Sequence, residues 1–253
     1  MGCFDNLAFI VLAAGLGTRM KSDKAKVLHQ INGKAMIIYI METVTKIAGK
    51  NVIVVIGYQA DLVKKIISEK FDVFFAKQEI PKGTGHAVLK AIPFIAENID
   101  NLVILCGDVP LVKIKTLKTL IEKHIFDNNH LTIQAVDMVN PFGYGRIIFD
   151  KNDRVLKIVE ESDAAENEKK ITTINTGIYC CEKNFLIDAV KKIKAKNVKN
   201  EYYFTDIVDI GCRQNKKIGA VIGKEPGEFI GINSSEELKK AEEMLLKCNN
   251  KIP

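Results

Sequence analysis

The chain's first apolar run, Ala8 to Leu12, leads directly into Ala13-Ala14-Gly15-Leu16-Gly17 and then into a polar stretch that carries Arg19 and Lys26. A buried strand that ends in such small residues has to turn tightly. The missing side chains let a phosphate or a flat base approach the main chain, whose free N–H groups attract anions. Two nearby cations would offset phosphate charge, so the segment reads as a seat for a nucleoside triphosphate. It differs from two better-known phosphate loops: Met20 stands where a dinucleotide fingerprint needs its third glycine, and the chain nowhere spells the Gly-Lys-Ser/Thr of a Walker A loop.

The pattern downstream predicts an α/β fold. Short β-rich runs at Phe9 to Leu12, Val52 to Ile56, Val73 to Phe75 and Leu102 to Cys106 alternate with amphipathic stretches at Ala35 to Ala48, Ala60 to Glu69, Thr84 to Ala96 and Lys113 to His124. This rhythm specifies a mostly parallel sheet flanked by helices on both faces. Ligands of such sheets sit beyond the carboxyl ends of the strands, which places Gly15 and Asp108 at one site. From Leu131 the runs shorten (Leu131 to Asp137, Arg146 to Phe149, Val155 to Glu160, Ile174 to Cys180), giving a smaller mixed β lobe on the acceptor side. Helices are expected at Lys183 to Lys194 and Tyr203 to Cys212, and an apolar strand at Phe229 to Ile232. A final helix is announced by the capping box of Ser234 and Glu237 ahead of Leu238, Ala241 and Leu245, a cap worth ~1 kcal/mol. No linker or repeat interrupts the chain. A single domain over 1–253 is expected, with lobes at about 1–130 and 131–232 and a C-terminal helix at 233–253.

A chain of 253 residues with 47% hydrophobic content can bury a full core. Its net charge of +6 comes from 33 lysines against four arginines. That is a solvated lysine surface rather than an arginine-rich nucleic-acid reader, and the basic run Lys191 to Lys199 has no interleaved aromatics. The six cysteines form no CxxC pair, which fits reduced thiols, and adjacent Cys180 and Cys181 should face opposite sides of a strand. No run reaches the ~18 apolar residues of a membrane helix, no signal peptide is evident, and Asn6 excludes myristoylation at Gly2. A cytoplasmic protein without membrane or nucleic-acid partners is expected.

Three further clusters carry chemistry. Cys106-Gly107-Asp108 ends a buried strand with a carboxylate suited to Mg²⁺, which takes a few hard oxygens and keeps its waters, and Asn233 offers an amide oxygen far along the chain. Asp108 could equally be a turn residue, and Asn233 a turn partner of Ser234. Gln78 could bond a base edge while Gly83 exposes main-chain N–H groups, with Thr84 either beside them or capping a helix. His86 is assigned packing only. In the second half, Phe142-Gly143-Tyr144-Gly145-Arg146, Glu160, Asn175-Thr176-Gly177 and Asn200-Glu201-Tyr202-Tyr203 offer groups that hold sugar hydroxyls, Arg146 alternatively forming a surface ion pair. No Ser/His/Asp or Cys/His arrangement indicates a covalent intermediate.

In order along the chain, LAAGLGTRMKSDKAKVL, GTGHA, GDVPL, GYGRI, IVEESDA, INTGIY and NEYYFTDI resemble the uridylyltransferase domain of the bifunctional N-acetylglucosamine-1-phosphate uridylyltransferases. These belong to the sugar-phosphate nucleotidyltransferases with a Rossmann-like fold. The resemblance implies transfer of a uridylyl group from UTP to N-acetylglucosamine 1-phosphate. It implies nucleotide contacts at Leu12, Ala13, Ala14 and Gly15, phosphate contacts at the catalytic Arg19 and Lys26, and uracil recognition by Gln78, Gly83 and Thr84. Cys106, Gly107 and Asp108 would line the nucleotide and metal site, Gly145, Glu160 and Asn175 would hold the sugar, and Asp108 and Asn233 would hold Mg²⁺. Ala25 and Ala35 replace usual prolines, so the loop carrying Lys26 is expected to be less rigid; Cys106 replaces a frequent tyrosine, and Ser234 and Ser235 replace an asparagine and an arginine. The 253 residues contain no hexapeptide repeats of the acetyltransferase half, whose step would fall to a separate acetyltransferase. Two rival readings remain: another sugar phosphate or nucleotide, or a non-catalytic nucleotide-sugar-binding regulator.

Overall fold

The structure, a computed structural model, describes residues 4–249, so the readings at Gly2, Cys3 and positions 250–253 lie outside the described residues. Strand β1 (Leu7–Ala13) is buried along nearly its whole length because both of its faces are covered. Phe9 and Val11 point into one half of the core, Ala8 and Ile10 into the other. After β1 come a short hairpin, β2 (Gln30–Ile31) with β3 (Lys34–Ala35), and helix α1 (Met36–Ala48). Strand β4 (Val52–Ile56), helix α2 (Ala60–Ser68), strand β5 (Phe74–Lys77), helix α3 (Thr84–Ala91), strand β6 (Asn101–Cys106) and helix α4 (Ile114–Phe126) continue the predicted alternation.

The second half contains β7 (Leu131–Asp137), β8 (Arg146–Phe149), β9 (Val155–Val159) and β10 (Thr173–Glu182), then helices α5 (Lys183–Val190) and α6 (Asp206–Arg213). Strand β11 (Ile218–Gly223) and helix α7 (Ser235–Asn249) complete it. The strand order is β11-β7-β10-β6-β1-β4-β5, with β8 and β9 attached to β10 as a small antiparallel pair. The pairs β6–β1, β1–β4, β4–β5 and β7–β11 are parallel, and β10 runs antiparallel to both of its main-sheet neighbours. Strands from the second half therefore extend the same sheet, and only β8–β9 lie off its main path. Cys180 and Cys181 do face opposite core halves.

Starting from β1 the chain moves outward through β4 to β5, then returns to lay β6 on the other flank of β1. That reversal opens a crevice between the carboxyl ends of β1 and β6, because the connections on either side lead away from each other. Gly15 and Asp108 both follow those ends.

Four expectations need correction. Phe229 to Ile232 is not a strand: a 3-10 turn spans Pro226–Phe229, where proline cannot donate to a ladder, and the extended stretch beyond it is tied by Ile232 N–H to the Asp108 carbonyl at 2.9 Å. Strand β11, absent from the sequence reading, is a parallel edge strand that pairs with β7 from Ile218 to Gly223. Helix α3 ends at Ala91 and tightens into a 3-10 turn at Ile92–Phe94, because Pro93 cannot continue the α-helical bonding. Arg146 is not a surface residue: it is 1% exposed, pairs with Glu161 at 2.7 Å and donates to the Tyr144 and Lys169 carbonyls.

One polar network lies inside the fold. His124 of α4 is 2% exposed; its Nδ1 lies 2.9 Å from Thr132 Oγ1 and its Nε2 lies 3.1 Å from Asn101 Oδ1. Thr132 Oγ1 accepts from Asn129 Nδ2, so its own proton goes to His124 Nδ1, leaving Nε2–H to donate to Asn101. Burial, with a smaller contribution from His130, pushes the His124 pKa down to about 4. The unfolded chain therefore binds a proton near pH 6.5 that the folded one refuses until about pH 4. Stability present above pH 6.5 should fall as pH drops through this window, by on the order of 3 kcal/mol from this group. Urea unfolding across that range should show the loss, and His124→Gln, which cannot titrate, should flatten it.

Candidate active site

The crevice between β1 and β6 opens into a cleft of about 490 Å³. Leu12, Ala13, Ala14 and Gly15 line one side, Cys106 and Asp108 another, and Gln78, Gly83 and Thr84 a third. Ten of the sequence-selected residues, Lys26 among them, thus face one space. Leu16 and Thr18 also line it and were not selected, and Glu201, read as one of a group suited to sugar hydroxyls, lines it too. Leu16 and Thr18 belong to the glycine-rich stretch itself, whereas Glu201 lies in a motif whose partner could not be read from spacing.

Gly17 has φ +69°, and a Cβ there would sit 2.6 Å from Lys26 Cβ. Only glycine lets the turn fold against the loop that brings Lys26 in. That loop carries Ala25 in place of the family's proline, yet it is held in another way. Ala25 N–H, which a proline would lack, donates to Gln59 Oε1 at 2.9 Å, and Gln59 Nε2 donates to the Asp23 carbonyl at 2.8 Å. The expected loosening is offset by two hydrogen bonds.

Lys26 Nζ forms an ion pair with Asp108 and donates to Asn233 Oδ1 at 3.0 Å, although 207 residues separate Lys26 from Asn233. Asn233 Nδ2 donates to the Gly231 carbonyl at 3.1 Å, which turns its amide oxygen toward the lysine. The Asp108 carboxylate and the Asn233 oxygen therefore converge on one cation position beside the β1 turn. Among the described residues no group of three or more His, Cys, Asp or Glu side chains is placed to hold a metal ion.

The remaining residues divide. Arg19 lies exposed in the 3-10 turn Thr18–Met20 and does not line the cleft. Gly107 is buried, its N–H bonded to the Leu12 carbonyl at 2.9 Å, and a Cβ there would meet Ile37 and Val27. Its visible role is close packing of strand ends. Gly145, Glu160 and Asn175 form a cluster of their own. Asn175 N–H donates to the Gly145 carbonyl at 2.8 Å, and a Cβ on Gly145 would lie 3.4 Å from Glu160 Oε2. Asn175 sits at a bulge in β10, its Nδ2 donating to Tyr179 Oη at 2.7 Å and its Oδ1 accepting from Gly177 N–H at 3.1 Å. A Cβ on Gly177 would lie 3.6 Å from Cys106 Sγ, so this cluster adjoins the cleft.

Charges in this region are tuned by burial. Burial raises the Glu160 carboxyl, against a hydrogen bond from Thr205 Oγ1 at 3.1 Å and the charge of Lys199. Burial pushes the Cys106 thiol up to about 12, with the Asp108 charge adding to it, so at neutral pH it is no nucleophile.

A mostly parallel sheet with a glycine-rich turn and a carboxylate at its switch point is the architecture of a nucleotide-handling α/β enzyme. The pattern of the nucleotidyl transferase family matches residues 8–227, and the chain belongs to that family. It is similar to the bifunctional protein GlmU of Clostridioides difficile (strain 630), 43% identical over 245 residues that make up 97% of this chain and 53% of that protein. It is also similar to the bifunctional protein GlmU of Caldicellulosiruptor saccharolyticus, 44% identical over 95% of this chain and 52% of that protein. The chain spans about half the length of these curated relatives. The inositol-1-phosphate CTP transferase from T. maritima shares the fold, with a TM-score of 0.74 over 98% of both chains at 16% identity. No helix among the described residues is long and apolar enough to cross a membrane.

The helix cap beside Asn233 closes the site. Ser234 Oγ accepts from Glu237 N–H at 3.2 Å, and Glu237 Oε2 accepts from the N–H groups of Ser234 at 3.0 Å and Asn233 at 2.7 Å. The capping box read from the sequence is present and holds Asn233 directly. Ser234→Ala should lower stability by ~1 kcal/mol in urea unfolding, with an unchanged denaturant slope.

Proposed function

We propose that this chain transfers the uridylyl group of UTP to N-acetylglucosamine 1-phosphate, releasing pyrophosphate and forming UDP-N-acetylglucosamine. The observation that carries this reading is the meeting of Lys26, Asp108 and Asn233 beside the Gly15 turn, in a chain of the nucleotidyl transferase family. The seven ordered motifs supply the choice of sugar and base.

The acceptor's phosphate oxygen attacks the α-phosphorus in line; the bond from that phosphorus to the bridging oxygen breaks, and pyrophosphate leaves with the electron pair. A phosphate monoester is already a nucleophile. The protein's task is to align two anions that repel each other and to neutralise charge gathering on the leaving group. The small residues Ala13, Ala14 and Gly15 bring backbone close to the triphosphate, and Lys26 supplies positive charge in the cleft, while Arg19 would reach the phosphates only from its exposed place in the turn Thr18–Met20. Glu160 accepts from a sugar hydroxyl. Asn175 retains one N–H and one lone pair beyond its bonds to Tyr179 and Gly177, enough for the sugar.

The donor set fits Mg²⁺: one carboxylate and one amide oxygen meet at a point that the Lys26 ammonium shows to favour a cation. Bound at Asp108 and Asn233, magnesium would supply further neutralisation of the phosphates. Lys26 would then release its two partners and face the phosphate oxygens.

Pyrophosphate release should be measured with Mg²⁺, each of the four common nucleoside triphosphates and several sugar 1-phosphates. The expected result is turnover with UTP and N-acetylglucosamine 1-phosphate. A clear preference for another pair would replace the substrates, and nucleotide binding without release would leave only a sensor. Asp108→Asn should lower turnover by at least ~10²-fold while leaving the thermal unfolding midpoint near that of the parent chain. Turnover within a few-fold of the parent would remove Asp108 from the chemistry.

A further inference from the structure

The Gln78 side chain is 5% exposed and lines the nucleotide cleft. Its Nε2 lies 3.0 Å from two atoms, the Gly83 carbonyl oxygen and His86 Nδ1. A backbone carbonyl only accepts, so the Gln78 atom facing it is the donor NH₂, and the amide has one allowed orientation. The second N–H then points at His86 Nδ1, which must be the unprotonated ring nitrogen. Both donors are spent inside the protein. The carbonyl oxygen Oε1, which has no protein partner among the described residues, is left for the cleft.

We propose that His86 is a positioning residue that sets the base preference of the cleft by holding the Gln78 amide with its oxygen toward the nucleotide. An acceptor at that point matches the imide N–H of uracil. It opposes the corresponding ring nitrogen of cytosine, which is itself an acceptor. The inference rests on the nucleotide reading above and extends it to a residue that does not line the cleft.

The surroundings of His86 keep its Nδ1 an acceptor. Lys77, Lys82, Lys90 and Glu79 share the outer pocket that His86 lines, and the Tyr202 ring lies with its centroid 6.4 Å away. Burial, then the charges of Lys90 and Lys82, lower the His86 pKa from its usual value, while Glu79 is turned toward Lys77 at 4.0 Å. Protonation would place an N–H of His86 against an N–H of Gln78. The amide could relieve this by turning over, presenting NH₂ to the base, but its oxygen would then meet the Gly83 carbonyl. Acid should therefore loosen the discrimination between bases rather than invert it cleanly.

Binding of UTP and of CTP to the full chain should be measured by calorimetry between about pH 5.5 and 8, without a sugar phosphate, so that the acceptor's identity does not enter. The ratio of the two affinities cancels phosphate protonation, which is common to both. In the parent chain the ratio should favour UTP at pH 8 and fall at the acid end. His86→Phe should lower the pH 8 ratio by about tenfold and remove its pH dependence. His86→Gln, whose amide oxygen can accept from Gln78 but cannot titrate, should restore the preference for UTP at a constant level. A His86→Phe variant that weakens both nucleotides equally, leaving the parent ratio, would overturn the proposal while the nucleotide site stands. Failure of the parent chain to bind either nucleotide would instead sink the site reading and the proposal together.

Discussion

The parallel pairing of β1 with β6 is the constraint on which the site depends. Their register sets Leu12 opposite Cys106, and the Gly107 N–H continues the ladder one step further to the Leu12 carbonyl. Two chain segments a hundred residues apart therefore end at the same height, and each then turns away. Small residues follow on one side and a carboxylate on the other. Because β4 and β5 lie beyond β1 while β10 and β7 lie beyond β6, no other connection crosses the gap. Backbone N–H groups and Asp108 face each other across it as a result of strand order, before any specific side-chain contact forms.

Lys26 then ties three segments together: its own loop, the end of β6 through Asp108, and the approach to α7 through Asn233. A lysine joining a carboxylate to an amide in a half-buried place is a compact way to keep two oxygens from separating when no cation lies between them. Its loop is anchored from a different direction, by Gln59 in the left-handed conformation at φ 51° after β4. Asn233 is anchored by the first turn of α7 through Glu237. Lys26 and Asn233 are thus each held from behind by a residue that does not line the cleft.

Much of this was legible in the sequence because it is local. The glycine-rich turn, the alternation of strands and helices through α4, and the capping box at Ser234 each follow from neighbouring residues, and each is found where spacing puts it. What could not be read depends on partners distant in the chain. Strand β11 is recognisable only once β7 offers it an edge, and Arg146 is buried only because Glu161 and two carbonyls meet it there. The replacement of a loop proline by Ala25 looked like a loss of stiffness, since Gln59 gives no local sign that its amide will take the freed N–H. His86 looked like packing for the same reason. Its ring matters through Gln78, eight residues away, and through a carbonyl whose direction is set by the left-handed backbone of Gly83 at φ +103°.

The segment from Glu201 to Thr205 shows how the two halves of the cleft are made one. Tyr202 exchanges backbone bonds with the loop before α3, its N–H to the Lys82 carbonyl at 2.8 Å and its carbonyl to Gly85 N–H at 2.8 Å. Phe204 N–H donates to Thr84 Oγ1 at 3.0 Å, and Thr205 Oγ1 donates to Glu160. This gives the glycines of that segment a packing reason: a Cβ at Gly83 would lie 2.7 Å from the Tyr202 carbonyl oxygen, and one at Gly85 would lie 3.0 Å from it. Helix α6 starts at Asp206 rather than Tyr203, and the turn before it is closed by bonds from the Asp206, Ile207 and Val208 N–H groups to the Tyr203, Phe204 and Thr205 carbonyls. A displacement of the segment Lys82 to Gly85 therefore bears on the residues that also bond Glu160, which couples the cleft to the cluster of Gly145, Glu160 and Asn175.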